Sequence, residues 1–339
     1  MNMETWFQTA AARHKPMPVL SFPGMQLTGV TMRELVCSGQ KQAACMKAIV
    51  SRYDLLASVS LMDLSVEAEA FGSPVRFSDA EVPTVTSAVI RDANDLEQLG
   101  IPAVGTARTG EYIETIVQAK RLIADIPVFA GSIGPFSLAG RLMDMTEIMV
   151  LCYEDPELVH ATLEKVTTFL VAYNTAFRIA GANGILMAEP AAGLLSPALN
   201  EEFSTPYVRQ IIEAVQTDSF ACIYHNCGNT IPLIGSILQN GAKAFHFGNA
   251  IQLPEMLPLV PTDRPVFGNI DPAGQFRNGT PESIREATLG LLDNCAQHPH
   301  FILSSGCDIP PVTPLQNIDA FFDAAKVFYS RPVAYDGRR

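Results

Sequence analysis

The chain has 339 residues, 48% of them hydrophobic and 17% charged, with a formal net charge of −12 at pH 7. That much apolar material suits one large α/β barrel or two ordinary domains. An acidic chain without clustered Lys or Arg argues against a nucleic-acid surface or an anionic membrane as partner.

Short apolar runs bounded by turn signals recur along the chain and are read as strands. In order they are PVLSFPG from Pro18, LLASVSLM over Leu55 to Met62, IPVFAGSIGP from Ile126 and GILMAEP ending at Pro190. SFACIYHNC, KAFHFGNA from Lys243, RPVFGNIDP from Arg264 and HFILSSGCDIPP from His300 complete a set of eight. Between most of them lie amphipathic stretches of helical length. DPELVHATLEKVTTFLVAYNTAFRIAG repeats its apolar residues at helical spacing and stops at Gly181. NEEFSTPYVRQIIEAVQ reads similarly, as does TPESIREATLGLLDNCAQ, with Thr280 as N-cap and Pro281 at the first helical position.

Strands alternating with helices imply parallel pairing and right-handed crossovers, and eight units in this length predict a (β/α)8 TIM barrel. An open doubly wound sheet is the alternative, but no glycine fingerprint follows the first strand. The interval at about 63–125 breaks the rhythm and reads as an insertion near the barrel mouth. No linker or repeat divides residues 1–339, so a single domain is expected. The most apolar stretches are interrupted by Gly and Pro before membrane length. The amino-terminal MNMETWFQTAAARHKP lacks a signal-peptide core. Seven cysteines then point to free or metal-bound thiols in the cytoplasm rather than a disulfide framework.

In such a barrel the carboxyl ends of the strands carry the chemistry. His225 and Cys227 close the fifth candidate strand and Cys307 the eighth; Glu67 and Glu69 follow the second, Glu189 closes the fourth and Asp271 the seventh. An extended chain points residues i and i+2 to one side, so His225 and Cys227 can share a ligand with Asn226 turned away. One imidazole and two thiolates suit zinc at about 2.0–2.3 Å, and three protein ligands with a fourth exchangeable position describe a catalytic site. The competing reading makes these thiols small buried hydrophobes, as expected for Cys37, Cys45, Cys152, Cys222 and Cys295. Glu67, Glu189 and Asp271 are the candidate catalytic carboxylates. Glu67, Glu69, Glu189, water and substrate all stand as a fourth ligand. Glu67 and Glu69 also read as a solvated loop face, Glu189 as an acceptor for a histidine N–H, and His246 as a core histidine. His14, His160, His298 and His300 read as surface or helix-end residues.

LSVEAEAFG (64–72), GSIGPFSLAG (131–140), EPAAGLLSPALNEEFSTPYVRQI (189–211), YHNCGNT (224–230), FGNIDP (267–272) and SSGCDIPPVTPLQNIDAF (304–321) carry a resemblance. The chain resembles the uroporphyrinogen decarboxylase superfamily, and within it the zinc-dependent corrinoid methyltransferase branch of methylcobamide:coenzyme M methyltransferases. The resemblance implies a TIM barrel with zinc on His225, Cys227 and Cys307. It also implies methyl transfer between a methylated corrinoid (methylcobalamin-like) and a small thiol. Other branch members demethylate a donor onto a corrinoid protein. Some family members dimerise, which leaves a homodimer open. No cobalamin-binding D-x-H-x-x-G motif occurs, so the corrinoid is expected on a separate corrinoid protein or free. One departure stands out. Decarboxylases carry an arginine-rich segment after the first strand, where this chain has the uncharged SFPGMQLTG, which counts against porphyrinogen decarboxylation. Arg33, Arg141 and Lys243 are candidate partners for an anionic thiol. A metal-free decarboxylase and a corrinoid-binding barrel without chemistry are the rival readings.

Overall fold

The computed structural model describes residues 1–331. Seven parallel strands form one curled sheet in chain order: β1 (Ser58–Val59), β4 (Val128–Ile133), β5 (Gly184–Ala188), β6 (Ala221–Asn226), β7 (Ala244–Phe247), β8 (Val266–Ile270) and β9 (Phe301–Ser305). β2 (Val75–Arg76) and β3 (Thr84–Val85) make a separate antiparallel ribbon.

The expected first strand at PVLSFPG is not a strand. Pro16 and Pro18 have no N–H to give to a ladder, and the Val19 N–H goes to Ser305 Oγ at 2.9 Å. The segment nevertheless runs extended between the sheet edges. Met17 N donates to Leu303 O and Leu56 N donates to Pro16 O, each at 2.9 Å. These two bonds bridge β9 to the β1 edge and close the barrel. Pro23 then caps a short helix, Gly24–Thr28, over the end of the predicted run.

Strand parity divides the core. Val59, Phe129, Leu186, Ile223, Phe267 and Ile302 fill the lumen, and the helix Met3–Ala10 plugs its lower end with Trp6 and Phe7 against Phe129. Residues of opposite parity, such as Val128, Ile185, Cys222, Phe245 and Leu303, pack outward under the helices. The helix Pro156–Ile179 begins at Asp155, whose side chain accepts from Leu158 N, and Gly181 follows it at φ 98°. Thr280 forms a capping box with Ser283 ahead of Pro281–Cys295.

The irregular interval after β1 holds a short helix (Val66–Ala70), the β2–β3 ribbon and the helix Ala93–Gln98. Its last part, Thr109–Leu122, is an outer helix tied to Gly39–Arg52 by Gly39 N donating to Glu111 Oε2 at 2.7 Å and Thr115 Oγ1 donating to Gln42 Oε1 at 2.8 Å. No helix among the described residues is long and apolar enough to cross a membrane. Cys45, Cys152, Cys222 and Cys295 are buried as expected, whereas Cys37 sits exposed at a helix end. His300 is buried rather than at the surface, with Nε2 3.3 Å from Leu257 O.

Candidate metal centre

His225 shares luminal parity with Ala221 and Ile223, one step above the apolar layer. Cys227 follows β6 and Cys307 follows β9, so both thiols lie where the chain leaves the barrel top. The ligand atoms of His225, Cys227 and Cys307 all fall within 4.8 Å of one another. His225 Nε2 is 3.4 Å from Cys307 Sγ. His225 is buried and the two cysteines are half-buried, so the group is walled below and reachable from the mouth. Asn226 turns away: its Nδ2 donates to Glu189 O at 2.7 Å and its Oδ1 accepts from Gly228 N at 2.8 Å. Gly248 backs Cys227 so closely that a Cβ there would lie 2.5 Å from the Cys227 Cα. The Cys307 loop is held by Gly306 N donating to Ile270 O at 2.6 Å and Ile309 N donating to Val19 O at 3.0 Å. A hydrogen bond from Cys227 holds the Cys307 thiol below the usual thiol range. The same bond, with burial, pushes Cys227 up.

Behind the trio stands a polar layer that the sequence did not single out as such. His225 Nδ1 is 2.8 Å from His246 Nδ1 and 3.1 Å from His246 O. His246 Nε2 is 2.8 Å from Ser304 Oγ, which donates to Met17 O at 2.7 Å. His246 is therefore a core histidine with partners on both ring nitrogens, and burial keeps it neutral.

The candidate carboxylates do not join the trio. Glu67 is buried rather than solvated; Oε1 accepts from Ile133 N at 3.1 Å, Oε2 has no partner, and burial pushes its carboxyl up to about 7. Glu69 accepts from Arg108 Nε at 2.6 Å. Arg108 also pairs with buried Asp63, to which Tyr112 donates at 3.0 Å. Asp63 and Arg108 were not among the sequence candidates. Glu189 carries the N-terminus of the helix Pro135–Met143: Oε1 accepts from Phe136 N at 2.7 Å and Oε2 from Ser137 N at 3.1 Å. Its own N–H donates to His225 O at 2.9 Å, which ties that helix to β6. A Cβ at Gly134 would overlap the Glu189 carboxylate, so only glycine fits there. Burial pushes Glu189 up to about 7, against those N–H donors. Asp271 Oδ1 accepts from Ala273 N and Gly274 N at 2.9 Å and caps the turn after β8. Lys243 pairs with Glu4 at the start of β7, away from the mouth, and Arg33 lies 3.8 Å from Asp79. Arg141 makes no ion pair among the described residues, and burial lowers its pKa.

The family model for uroporphyrinogen decarboxylase (URO-D) matches residues 15–328. The chain belongs to the uroporphyrinogen decarboxylase family. It is 27% identical over 306 residues to a methylcobamide:CoM methyltransferase of Methanosarcina acetivorans, covering 89% of this chain and 88% of that one. It is 28% identical over 313 residues to a uroporphyrinogen decarboxylase of Coxiella burnetii, covering 87% and 82%. A solved methyltransferase from Methanosarcina mazei shares the fold at TM-score 0.85 and 23% identity, over 97% of this chain and 100% of that one. That match extends to the TIM barrel. Two family members with different activities stand at nearly equal identity, so overall similarity does not choose between those activities and the site must.

Proposed function

We propose that the protein is a zinc-dependent methyltransferase that moves a methyl group between a corrinoid and a small thiol. The observation that carries this is the convergence of one imidazole nitrogen and two sulfurs within 4.8 Å at the carboxyl ends of parallel strands. That donor set fits zinc by chemistry and count, with a fourth position left for substrate. His225, Cys227 and Cys307 would hold the ion, whose contribution when bound is to lower the pKa of a thiol so that it is present as thiolate.

The chain's own work is positional. His246 anchors the His225 ring, Gly248 and Asn226 pin the Cys227 backbone, and the Gly306–Ile309 contacts hold Cys307. The luminal layer of Ile223, Phe267 and Ile302 seals the floor against water. Over the whole reaction a C–S bond forms as the methyl–cobalt bond breaks, both electrons of that bond stay on cobalt, and the thiol proton passes to solvent. A demethylase half-reaction would use the same trio in the opposite sense. Arg141, near Glu67 and without an ion pair among the described residues, is the cation we assign to an acidic group on the thiol. Without a cobalamin motif in the chain, the corrinoid is assigned to a separate protein. The reduced thiols that the site needs support a cytoplasmic location. Porphyrinogen decarboxylation leaves the trio without a task and finds no cation in SFPGMQLTG.

The test is transfer from methylcobalamin to a panel of thiols, followed by loss of the methyl–cobalt absorbance. The wild type should turn over, and Cys227→Ala should lose more than the roughly 100-fold typical of an outer-shell change. Arg141→Gln should raise KM for a sulfonated thiol several-fold more than for an uncharged one. Porphyrinogen decarboxylation by a protein inert toward every thiol would replace this reading.

A further inference from the structure

Resting on the metal reading above, we infer that His246 and Ser304 are positioning residues that fix the tautomer of His225. They do so through a directed chain of hydrogen bonds that begins at the Met17 carbonyl.

The direction follows from counting protons along four contacts. A hydroxyl has one proton and a backbone carbonyl can only accept. Ser304 Oγ lies 2.7 Å from Met17 O, so the hydroxyl proton is placed there. Ser304 then offers only lone pairs to His246 Nε2 at 2.8 Å, and that nitrogen must carry the proton of a neutral ring. His246 Nδ1 is left as an acceptor, 2.8 Å from His225 Nδ1, so His225 Nδ1 must be the donor. The His246 carbonyl, 3.1 Å from the same nitrogen, makes the same demand. His225 Nε2 is left with its lone pair directed into the trio, 3.4 Å from Cys307 Sγ. The opposite tautomer of His225 would set two lone pairs against each other at the Nδ1–Nδ1 contact and leave the His246 carbonyl without that donor. His225 and His246 are 2% exposed and Ser304 is fully buried, so water does not compensate a mismatch.

Strand parity makes the layer. His225 and His246 are register partners on β6 and β7, and Ser304 faces the lumen one step above Ile302 on β9. Met17 belongs to the segment that closes the barrel, with its N–H on Leu303 O. Barrel closure therefore sets the proton position on the ligand histidine. The partner that orients this imidazole is a second histidine, in the place where metal sites often put a carboxylate. A neutral orienter adds no negative charge behind two thiolates.

The test uses zinc itself, by competition with a chromophoric chelator, on wild type, His246→Phe, His246→Asn and Ser304→Ala. His246→Phe keeps bulk but accepts nothing from His225, and zinc should bind roughly 10–100-fold more weakly. His246→Asn retains an acceptor oxygen near the Nδ1 position and should recover most of that loss. Ser304→Ala should lie between. Long-range ¹⁵N spectra of the histidines read the tautomers directly, with and without zinc: His246 protonated on Nε2 and His225 on Nδ1. Either a folded His246→Phe that binds zinc as tightly as wild type, or a His225 protonated on Nε2 in the metal-free protein, overturns the inference. If wild type binds no zinc, the metal reading fails separately, and the metal-free spectrum still decides the tautomer chain.

Discussion

On the β6–β9 side of the mouth the reactive atoms face one another; on the side beyond β1 and β4 the charged groups are mostly tied to each other. The first side holds His225 Nε2 and two sulfurs, supported from behind by neutral hydrogen bonds. The second holds Asp63, Glu69 and Arg108 in a closed ion-pair network with Tyr112. Among the described residues, Glu67 Oε2 and Ser73 Oγ are left there without a hydrogen-bond partner, and Arg141 without an ion pair. The difference separates two uses of polar residues at one barrel end. Soft donors are left within 4.8 Å of one another, the arrangement that the proposed ion would require. Hard charges neutralise one another and hold the irregular β1–β4 segment in place.

The comparison breaks most sharply at Arg108. Arg108→Met would leave Asp63 as an uncompensated buried charge, a loss of about 3–5 kcal/mol, read from denaturant midpoints. The zinc content of the folded fraction should not change. Loss of zinc in that fraction would mean that the two sides are one unit.

Glu67 sharpens the contrast by pH. Burial raises its folded pKa from the ordinary 4.5 to about 7, so the neutral form is the one that folding favours. Its contribution is fully present below about 4.5 and is lost as pH rises through about 7, a change of about 3 kcal/mol. Relative to Glu67→Gln, which stays neutral and keeps the acceptor for Ile133 N, wild type should lose that much between pH 4.5 and 8. Equal pH dependence of the two proteins would show that Glu67 is ionised in the fold, with Arg141 as its counter-charge.

The legible and illegible parts of the molecule follow the same division. The meeting of His225, Cys227 and Cys307 could be read because each sits at a strand end and the i, i+2 rule puts His225 and Cys227 on one side. The first strand misled because its apolar pattern is right, while Pro16 and Pro18 withhold the donors that a ladder needs. The Asp63–Arg108 pair spans an interval without periodicity, so nothing local announced it. Glu67 looked solvated among the small residues of LSVEAEAFG, and only its contact with Ile133 across β4 shows it buried. His246 announced a luminal position through its alternation with Phe245 and Phe247. Its partner Ser304 lies two strands away, and no sequence spacing predicts that contact.

The most direct measurement is the metal content of purified wild type beside Cys307→Ala, by mass spectrometry of the metal after dialysis. Wild type should carry about one zinc per chain and the variant none. A wild type that stays metal-free after incubation with zinc, or a Cys307→Ala that keeps its full complement, would contradict the metal reading.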